Sequence, residues 1–371
     1  MNKIKILTIT TSGFERKEGI STVIHDYYSK MDHKKFDLQI LVDGEFNAEL
    51  VQTFVRNGVS AQYLSSRKKS PLQYYKQFIT LLRKEKYDGV YVHGSSAIMS
   101  IELLIAAAMG CKIRIAHSHN TTCQHKMIDR VLRPLFYCVL TNAVACGKEA
   151  GKWLYGNKEF IVLRNARDVE QYRFDKAVRD KMRSQLGLNP ETLAIGHVGN
   201  FNVQKNQRFL TQVFRALLYS GKDAKLFYMG DGDTINAVKA FAGLLGVQDK
   251  IVFTGNIPNI PEMLQAMDIM VLPSLHEGLP LVVVEWQISG LPCIVSDKVT
   301  QECAFTDLVT FKSLEESPQE WAKQITADAY KKCNRMTLSK KAVEEASKAG
   351  FNLDLNIQVL DRLLSGKFYY K

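Results

Sequence analysis

Short runs rich in β-branched and aromatic residues alternate with longer amphipathic stretches along this chain, and no other feature restricts its fold as much. In the first half the runs fall at residues 4–10, 38–42, 59–64, 89–93, 112–117, 143–146 and 160–163. In the second half they fall at 194–200, 225–230, 251–254, 269–272, 293–296 and 308–311. Between them apolar residues recur at helical spacing. Ile20, Val23, Ile24, Tyr27 and Tyr28 share one face, as do Phe209, Leu210, Val213, Phe214, Leu217 and Leu218. This rhythm predicts an α/β protein whose parallel sheets carry helices on both faces.

The rhythm runs through twice. It lapses into a charged stretch, Arg164-Asn165-Ala166-Arg167-Asp168-Val169-Glu170, is punctuated by Leu188-Asn189-Pro190, and restarts at Leu193. A chain of 371 residues also exceeds what one core sustains, about 250–300 residues. The expected organisation is a Rossmann-like domain over 1–170, a second over 171–354, and a C-terminal helix over 355–371. That helix, with Ile357, Leu360, Leu363 and Leu364 at helical spacing, is expected to pack back on the first domain. Open parallel sheets bind ligands beyond the carboxyl ends of their strands. Functional residues should therefore follow strands in both halves and face a central cleft.

Composition removes several classes. Apolar residues make up 46% and charged residues 23%, which excludes a disordered chain, a collagen or a coiled coil. No apolar run approaches the ~18 residues of a membrane span, and Met1–Leu7 reads as a first strand rather than a leader. The seven cysteines lack C-x-x-C spacing, so small buried hydrophobes in a reducing cytoplasm are expected. Residues 1–170 hold 25 Lys and Arg against 16 Asp and Glu, whereas 171–371 hold 24 against 22. A surplus confined to one half points to an anionic surface facing that half. Its candidate seats are Arg67-Lys68-Lys69 leading into 72–87, and the stretch with Lys126, Arg130 and Arg133. A nucleic-acid partner is disfavoured, because the basic residues form no single stripe with aromatic platforms. A dinucleotide dehydrogenase is disfavoured by the missing G-x-G-x-x-G.

The segment richest in chemistry is Leu272-Pro273-Ser274-Leu275-His276-Glu277-Gly278-Leu279-Pro280-Leu281-Val282-Val283-Val284-Glu285. A strand ends, Glu277-Gly278 turns, and Pro280 suits a helix start. Amides around Gly278–Leu281 would form a helix N-terminus suited to phosphate. The run Leu281-Val282-Val283-Val284 prefers strand locally, so this helix must be buried on most sides. A second loop, Gly199-Asn200-Phe201-Asn202-Val203-Gln204-Lys205-Asn206, also follows a strand.

Together these two segments resemble the retaining nucleotide-sugar glycosyltransferases of family four. The start Glu18-Gly19-Ile20-Ser21-Thr22 and the middle Arg114-Ile115-Ala116-His117-Ser118-His119-Asn120-Thr121 are similar to capsule and exopolysaccharide members. The resemblance covers nearly the whole chain and implies the GT-B fold. It implies transfer from a nucleotide sugar, a UDP-sugar by this reading, to a lipid-linked saccharide on the inner face of the membrane. The first half would bind acceptor and the second donor, with no cofactor and no metal.

Residue by residue, the resemblance gives Glu285 the ribose hydroxyls. It gives Glu277 the transferred sugar and the charge near its anomeric carbon, and the amides of Gly278 and Leu279 the sugar and phosphate. Gly19 would let backbone approach the diphosphate, Ile257 would wall the nucleobase, and His119 would act beside the sugar with His117 as a packed neighbour. Lys205 matches the family's lysine, but Asn200 stands where the family has arginine. Arg167, or less suitably Arg164, is expected to supply the missing cation. Gly230-Asp231-Gly232-Asp233 resembles the family's turn beside the donor, with Asp233 starting a helix, rather than a metal-binding pair. An epimerase on the same fold and a non-catalytic partner are the alternative readings.

Overall fold

The computed structural model describes residues 3–14, 19–331 and 334–367. Glu18 and Cys333 lie outside the described residues. The chain forms two compact units, Met1–Ala166 with Leu353–Lys371, and Arg167–Asn352.

In the first unit the strands are β1 (Ile4–Thr10), β2 (Phe36–Asp43), β3 (Ser60–Leu64), β4 (Gly89–Gly94), β5 (Ile113–Ser118), β6 (Asn142–Ala145) and β7 (Ile161–Val162). Between them run α1 (Gly19–Lys30), α2 (Ala48–Arg56), α3 (Pro71–Glu85), α4 (Ser100–Ala108), α5 (Lys126–Val139) and α6 (Lys148–Tyr155). The seven strands lie in the order β3-β2-β1-β4-β5-β6-β7, every pair parallel. The order in which strands are added reverses between β1 and β4, the place where such sheets open a crevice.

The second unit begins with α7 (Val169–Tyr172) and α8 (Lys176–Gln185) and continues β8 (Leu193–Val198), α9 (Gln207–Tyr219), β9 (Ala224–Met229), α10 (Ile235–Leu244) and β10 (Ile251–Gly255). There follow α11 (Ile260–Ala266), β11 (Ile269–Leu272), α12 (Leu281–Ile288), β12 (Cys293–Ser296), β13 (Val309–Lys312), α13 (Pro318–Ala329) and α14 (Arg335–Lys348). Its sheet order is β10-β9-β8-β11-β12-β13, again parallel throughout, with the switch between β8 and β11.

Alternation along the strands builds both layers of the second unit. Ile195, Leu226, Tyr228, Val271 and Ile294 join one core with Leu210, Val213 and Phe214 of α9 and Trp321 of α13. Their strand neighbours Ala194, Phe227, Met270, Leu272 and Val295 join another with Met182 of α8, Met263 of α11 and Trp286 of α12. Each face buries its own helices because successive side chains point to opposite sides. α12 overrides its strand propensity by this burial: Val283, Val284, Glu285, Trp286, Gln287 and Ile288 are all buried.

A final helix, α15 (Leu353–Leu364), belongs to the first unit and packs on α1. Asn356 Nδ2 donates to Tyr27 Oη at 2.9 Å and to the Arg164 carbonyl at 3.2 Å. One expectation needs correction. α10 starts at Ile235 with Thr234 preceding it, so Asp233 does not open the helix. The carboxylate that caps this turn is Asp231, which accepts from the Gly232 amide at 2.8 Å. No helix among the described residues is long and apolar enough to cross a membrane.

Candidate active site

The loops after β8 and β11 leave the second sheet on either side of its switch point, and hydrogen bonds lace them together. The Leu275 amide donates to the Gln204 carbonyl at 2.8 Å, Gln204 Nε2 to the His276 carbonyl at 2.9 Å, and Asn206 Nδ2 to the Pro273 carbonyl at 3.2 Å. The turn after β9 packs hard against the first of these loops. A Cβ on Gly230 would stand 2.2 Å from the Gly199 carbonyl oxygen, and one on Gly232 would stand 2.5 Å from that of Phe201. Both glycines have positive φ, so only glycine fits.

This lacing brings Lys205 to Glu277. Lys205 Nζ lies 2.7 Å from Glu277 Oε1, with both side chains mostly buried. The ammonium sits off the hydrogen-bonding direction, and Oε1 has an ion-pair partner but no aligned donor. Ser274 Oγ, Gln207 Oε1 and Thr234 Oγ1 are likewise buried without a hydrogen-bond partner. Four such atoms on three neighbouring strand-end segments are unusual, since buried polar groups are nearly always paired. Gly278 is exposed, and the space a Cβ would take there is open. Leu279 and Ile257 are half-buried and pack on the same core as Trp286. Asn200 is exposed, and its carbonyl accepts from Gln207 Nε2 at 2.9 Å.

Glu285 sits in the second turn of α12, 5% exposed. Arg167 Nε donates to its Oε1 at 2.6 Å. Backbone pairing anchors Arg167 in turn, its amide donating to the Phe351 carbonyl at 2.9 Å. The guanidinium expected to stand in for an arginine at 200 is thus balanced by a carboxylate. Arg164 belongs to the first unit and offers its carbonyl to Tyr27 Oη at 2.6 Å.

Sequence reasoning passed over His197. It is fully buried at the end of β8, and its Nδ1 donates to the Val271 carbonyl at 2.9 Å. Burial pushes its pKa down to about 4, so the ring is neutral and Nε2 faces Gln207 Nε2 at 3.4 Å. It also missed Gln207 and Ser274. The signal for His197 and Ser274 was position alone, a polar residue within a strand's end or just beyond it; Gln207 opens α9 and carried no such signal.

In the first unit, His119 follows β5 and its amide donates to the Gly94 carbonyl at 3.0 Å. His93 Nδ1 and His119 Nε2 are hydrogen-bonded at 2.8 Å, and Tyr91 Oη meets His117 Nδ1 at 2.6 Å. Burial holds all three histidines well on the neutral side. His117 is the packed, hydrogen-bonded neighbour that was expected. His93 was not singled out, although it is the direct register partner of His117. Gly19 opens α1, exposed and with free space around its Cα.

The two basic stretches differ. Along α3, Tyr74, Phe78 and Leu82 turn inward, while Leu72 in its first turn is 89% exposed. Along α5 the exposed residues include Met127 at 72%, Ile128 at 51% and Val131 at 73%, beside exposed Lys126 and Arg130. Arg133 is occupied by Asp129 at 2.9 Å.

Residues 178–342 match the family model described as "Glycosyl transferases group 1". A Bacillus subtilis protein named as the glycosyltransferase EpsF is 31% identical over 332 residues, 86% of each chain. An Escherichia coli UDP-Gal:alpha-D-GlcNAc-diphosphoundecaprenol alpha-1,3-galactosyltransferase is 26% identical, over 77% of this chain and 78% of its own. Among solved structures, Anabaena HepE in complex with UDP superposes with a TM-score of 0.79 at 16% identity, covering 98% of this chain and all (100%) of its own. WaaG, a glycosyltransferase involved in lipopolysaccharide biosynthesis, superposes at 0.67 with 13% identity, over 97% and 100%. These likenesses establish the GT-B fold.

Proposed function

Because the chain belongs to the group 1 glycosyltransferases, we propose that it transfers a sugar, with retention and without a catalytic metal, from a UDP-sugar to a lipid-linked saccharide in exopolysaccharide synthesis. The observation that carries this reading is the Lys205–Glu277 pair, with the unpartnered Ser274 Oγ, on loops that leave the second sheet at its switch point. Those atoms want a polar ligand, and the ammonium among them wants an anionic one. The donor is supported by HepE, whose structure holds UDP. Donor and acceptor class are both supported by the name of the E. coli relative.

In this reading Lys205 takes the diphosphate, with amides of Gly278 and Leu279 at the start of α12 adding donors. Asn200 contributes a neutral hydrogen bond. Glu277 faces the sugar and the positive charge that grows at its anomeric carbon. Glu285 accepts from the ribose hydroxyls, oriented by Arg167, and Ile257 walls the base. His119 and Gly19 are the residues assigned in the first unit, His119 as hydrogen-bond donor to the sugar and Gly19 as open backbone for the diphosphate. The bond from anomeric carbon to phosphate oxygen breaks as the acceptor oxygen bonds to the same face. The acceptor's proton leaves to the departing phosphate.

Incubation with radiolabelled UDP-sugars and membrane lipid extract tests the proposal. Label moving into the lipid fraction is expected. Label remaining in an altered sugar nucleotide, or in unchanged donor, would overturn it.

The lipid-linked acceptor also suggests a seat for the first unit. Met127, Ile128 and Val131 between Lys126 and Arg130 suit an anionic bilayer, worth ~1 kcal/mol for each basic residue at the surface. Flotation with vesicles containing anionic lipid should fall sharply for the double variant Met127→Glu, Val131→Glu. Unchanged flotation would remove α5 from the contact.

A further inference from the structure

The first unit holds a cluster that the chemistry above uses only in part. His93 at the end of β4, His117 in β5 and His119 just beyond it each offer one ring nitrogen, and the three nitrogens lie within 4.8 Å of one another. Fold geometry brings them together. His93 and His117 are opposite each other on adjacent parallel strands, and two steps further His119 returns to the same side. Two nitrogens in this cluster, His93 Nε2 and His117 Nε2, are buried with no hydrogen-bond partner, on rings that are 3% and 2% exposed. A buried nitrogen left unpaired costs about 1–3 kcal/mol, and two side by side call for a reason. Tyr91 Oη holds His117 by Nδ1, and the Leu163 backbone also interacts with this ring, while Nε2 has no aligned hydrogen bond. Adjoining two of the rings is a cavity of about 10 Å³, lined by His93, His117, Tyr91, Tyr28, Leu163 and Leu360 among others but not by His119. That is room for a single small guest, and no carboxylate lines it.

We propose that His93, His117 and His119 bind one divalent transition-metal ion of the zinc class through three imidazole nitrogens, leaving a fourth position open. Imidazole suits zinc and its neighbours, and three protein nitrogens with an open place is a familiar zinc arrangement. Tyr91 acts as the outer partner that fixes one ligand ring. Binding exchanges the 2.8 Å His93–His119 hydrogen bond and the 4.1 Å stacking of His117 on His119 for metal–nitrogen bonds. The rings reach the ion by turning about their Cβ–Cγ bonds. Occupancy would take His119 out of the transfer reaction, so the ion inhibits; that consequence rests on the role proposed for His119 above.

The test uses the full chain, stripped of metal and titrated with Co²⁺. Visible bands of a low-coordinate, nitrogen-bound ion are expected, with one Zn²⁺ per chain by elemental analysis after gel filtration. His93→Ala and His117→Ala should lose the bands and the zinc. If either alanine variant fails to fold, His93→Gln and Tyr91→Phe take its place, the first abolishing binding and the second weakening it about tenfold or more. No bands and no retained zinc, or binding that survives loss of His93, would overturn the site. Transfer activity is read separately. Zinc should inhibit the parent and spare His93→Ala, with recovery on chelation. Stoichiometric binding with undiminished transfer would uphold the metal site and remove His119 from the proposed chemistry.

Discussion

Glu285 and Arg167 join a contact that holds the fold to a proposed role in ligand binding. Their 2.6 Å pair is largely shielded from solvent, and removing one member of such a pair is far worse than removing both. Arg167→Ala should therefore destabilise the protein by roughly 3–5 kcal/mol, with part of the loss recovered in Arg167→Ala, Glu285→Gln. Urea denaturation of the four members of that cycle would measure it. Binding gives an independent reading. UDP at 100 times its dissociation constant should add about 2.7 kcal/mol of stability, and Glu285→Ala should abolish the accompanying thermal shift.

His197 carries a pH signature. Its pKa falls from an ordinary 6.5 to about 4 because the charged ring cannot be buried. Below pH 6.5 the unfolded chain takes up a proton that the folded chain refuses. Stability from this group is thus complete above pH 6.5 and drains away as pH falls towards 4. Between pH 7 and pH 5 its share is roughly 2 kcal/mol. His197→Asn should lower stability at pH 7 and flatten that part of the acid limb, measured by urea midpoints at the two pH values.

At the scale of elements, α12 is the instructive case. Its eight residues include a run of β-branched side chains, yet the segment is a helix because six of the eight are buried on every available side. Trp286 is fully buried in one core. Trp286→Ala should cost about 3–5 kcal/mol. Because the same helix carries Glu285 and is entered from the Gly278–Leu279 turn, donor affinity should fall with it. Trp286→Phe, which keeps most of the volume, should recover much of both. A variant that lost stability but kept UDP affinity would separate the packing of α12 from the proposed donor site.

For the molecule as a whole, two units are built on the same parallel plan, and the proposed chemistry of each lies at the carboxyl ends of its strands. UDP should therefore act locally. Hydrogen exchange with and without UDP is expected to slow at residues 199–206 and 273–280 in the second unit, where the laced loops lie. Protection confined to the amino ends of β11, β12 and β13 would contradict the assignment.

Much of this was legible from one dimension. Short β-rich apolar runs and period-3.6 patterning between them marked the thirteen strands among the described residues and most helices, because strands buried on both faces of a parallel sheet read as near-continuous apolar runs. Glu277, Gly278 and Lys205 stood out as candidates because each lies on a loop leaving the carboxyl end of a strand, where parallel sheets bind ligands. What stayed hidden depends on contacts between segments far apart in sequence. Arg167 reaches Glu285 across 118 positions. His93 meets His119 only because β4 and β5 pair in one register. A sequence fixes which side chains leave a strand on one face. Which of them then share a cavity, a proton or an ion is decided by strand order and loop packing, since those bring together groups that no spacing along the chain relates.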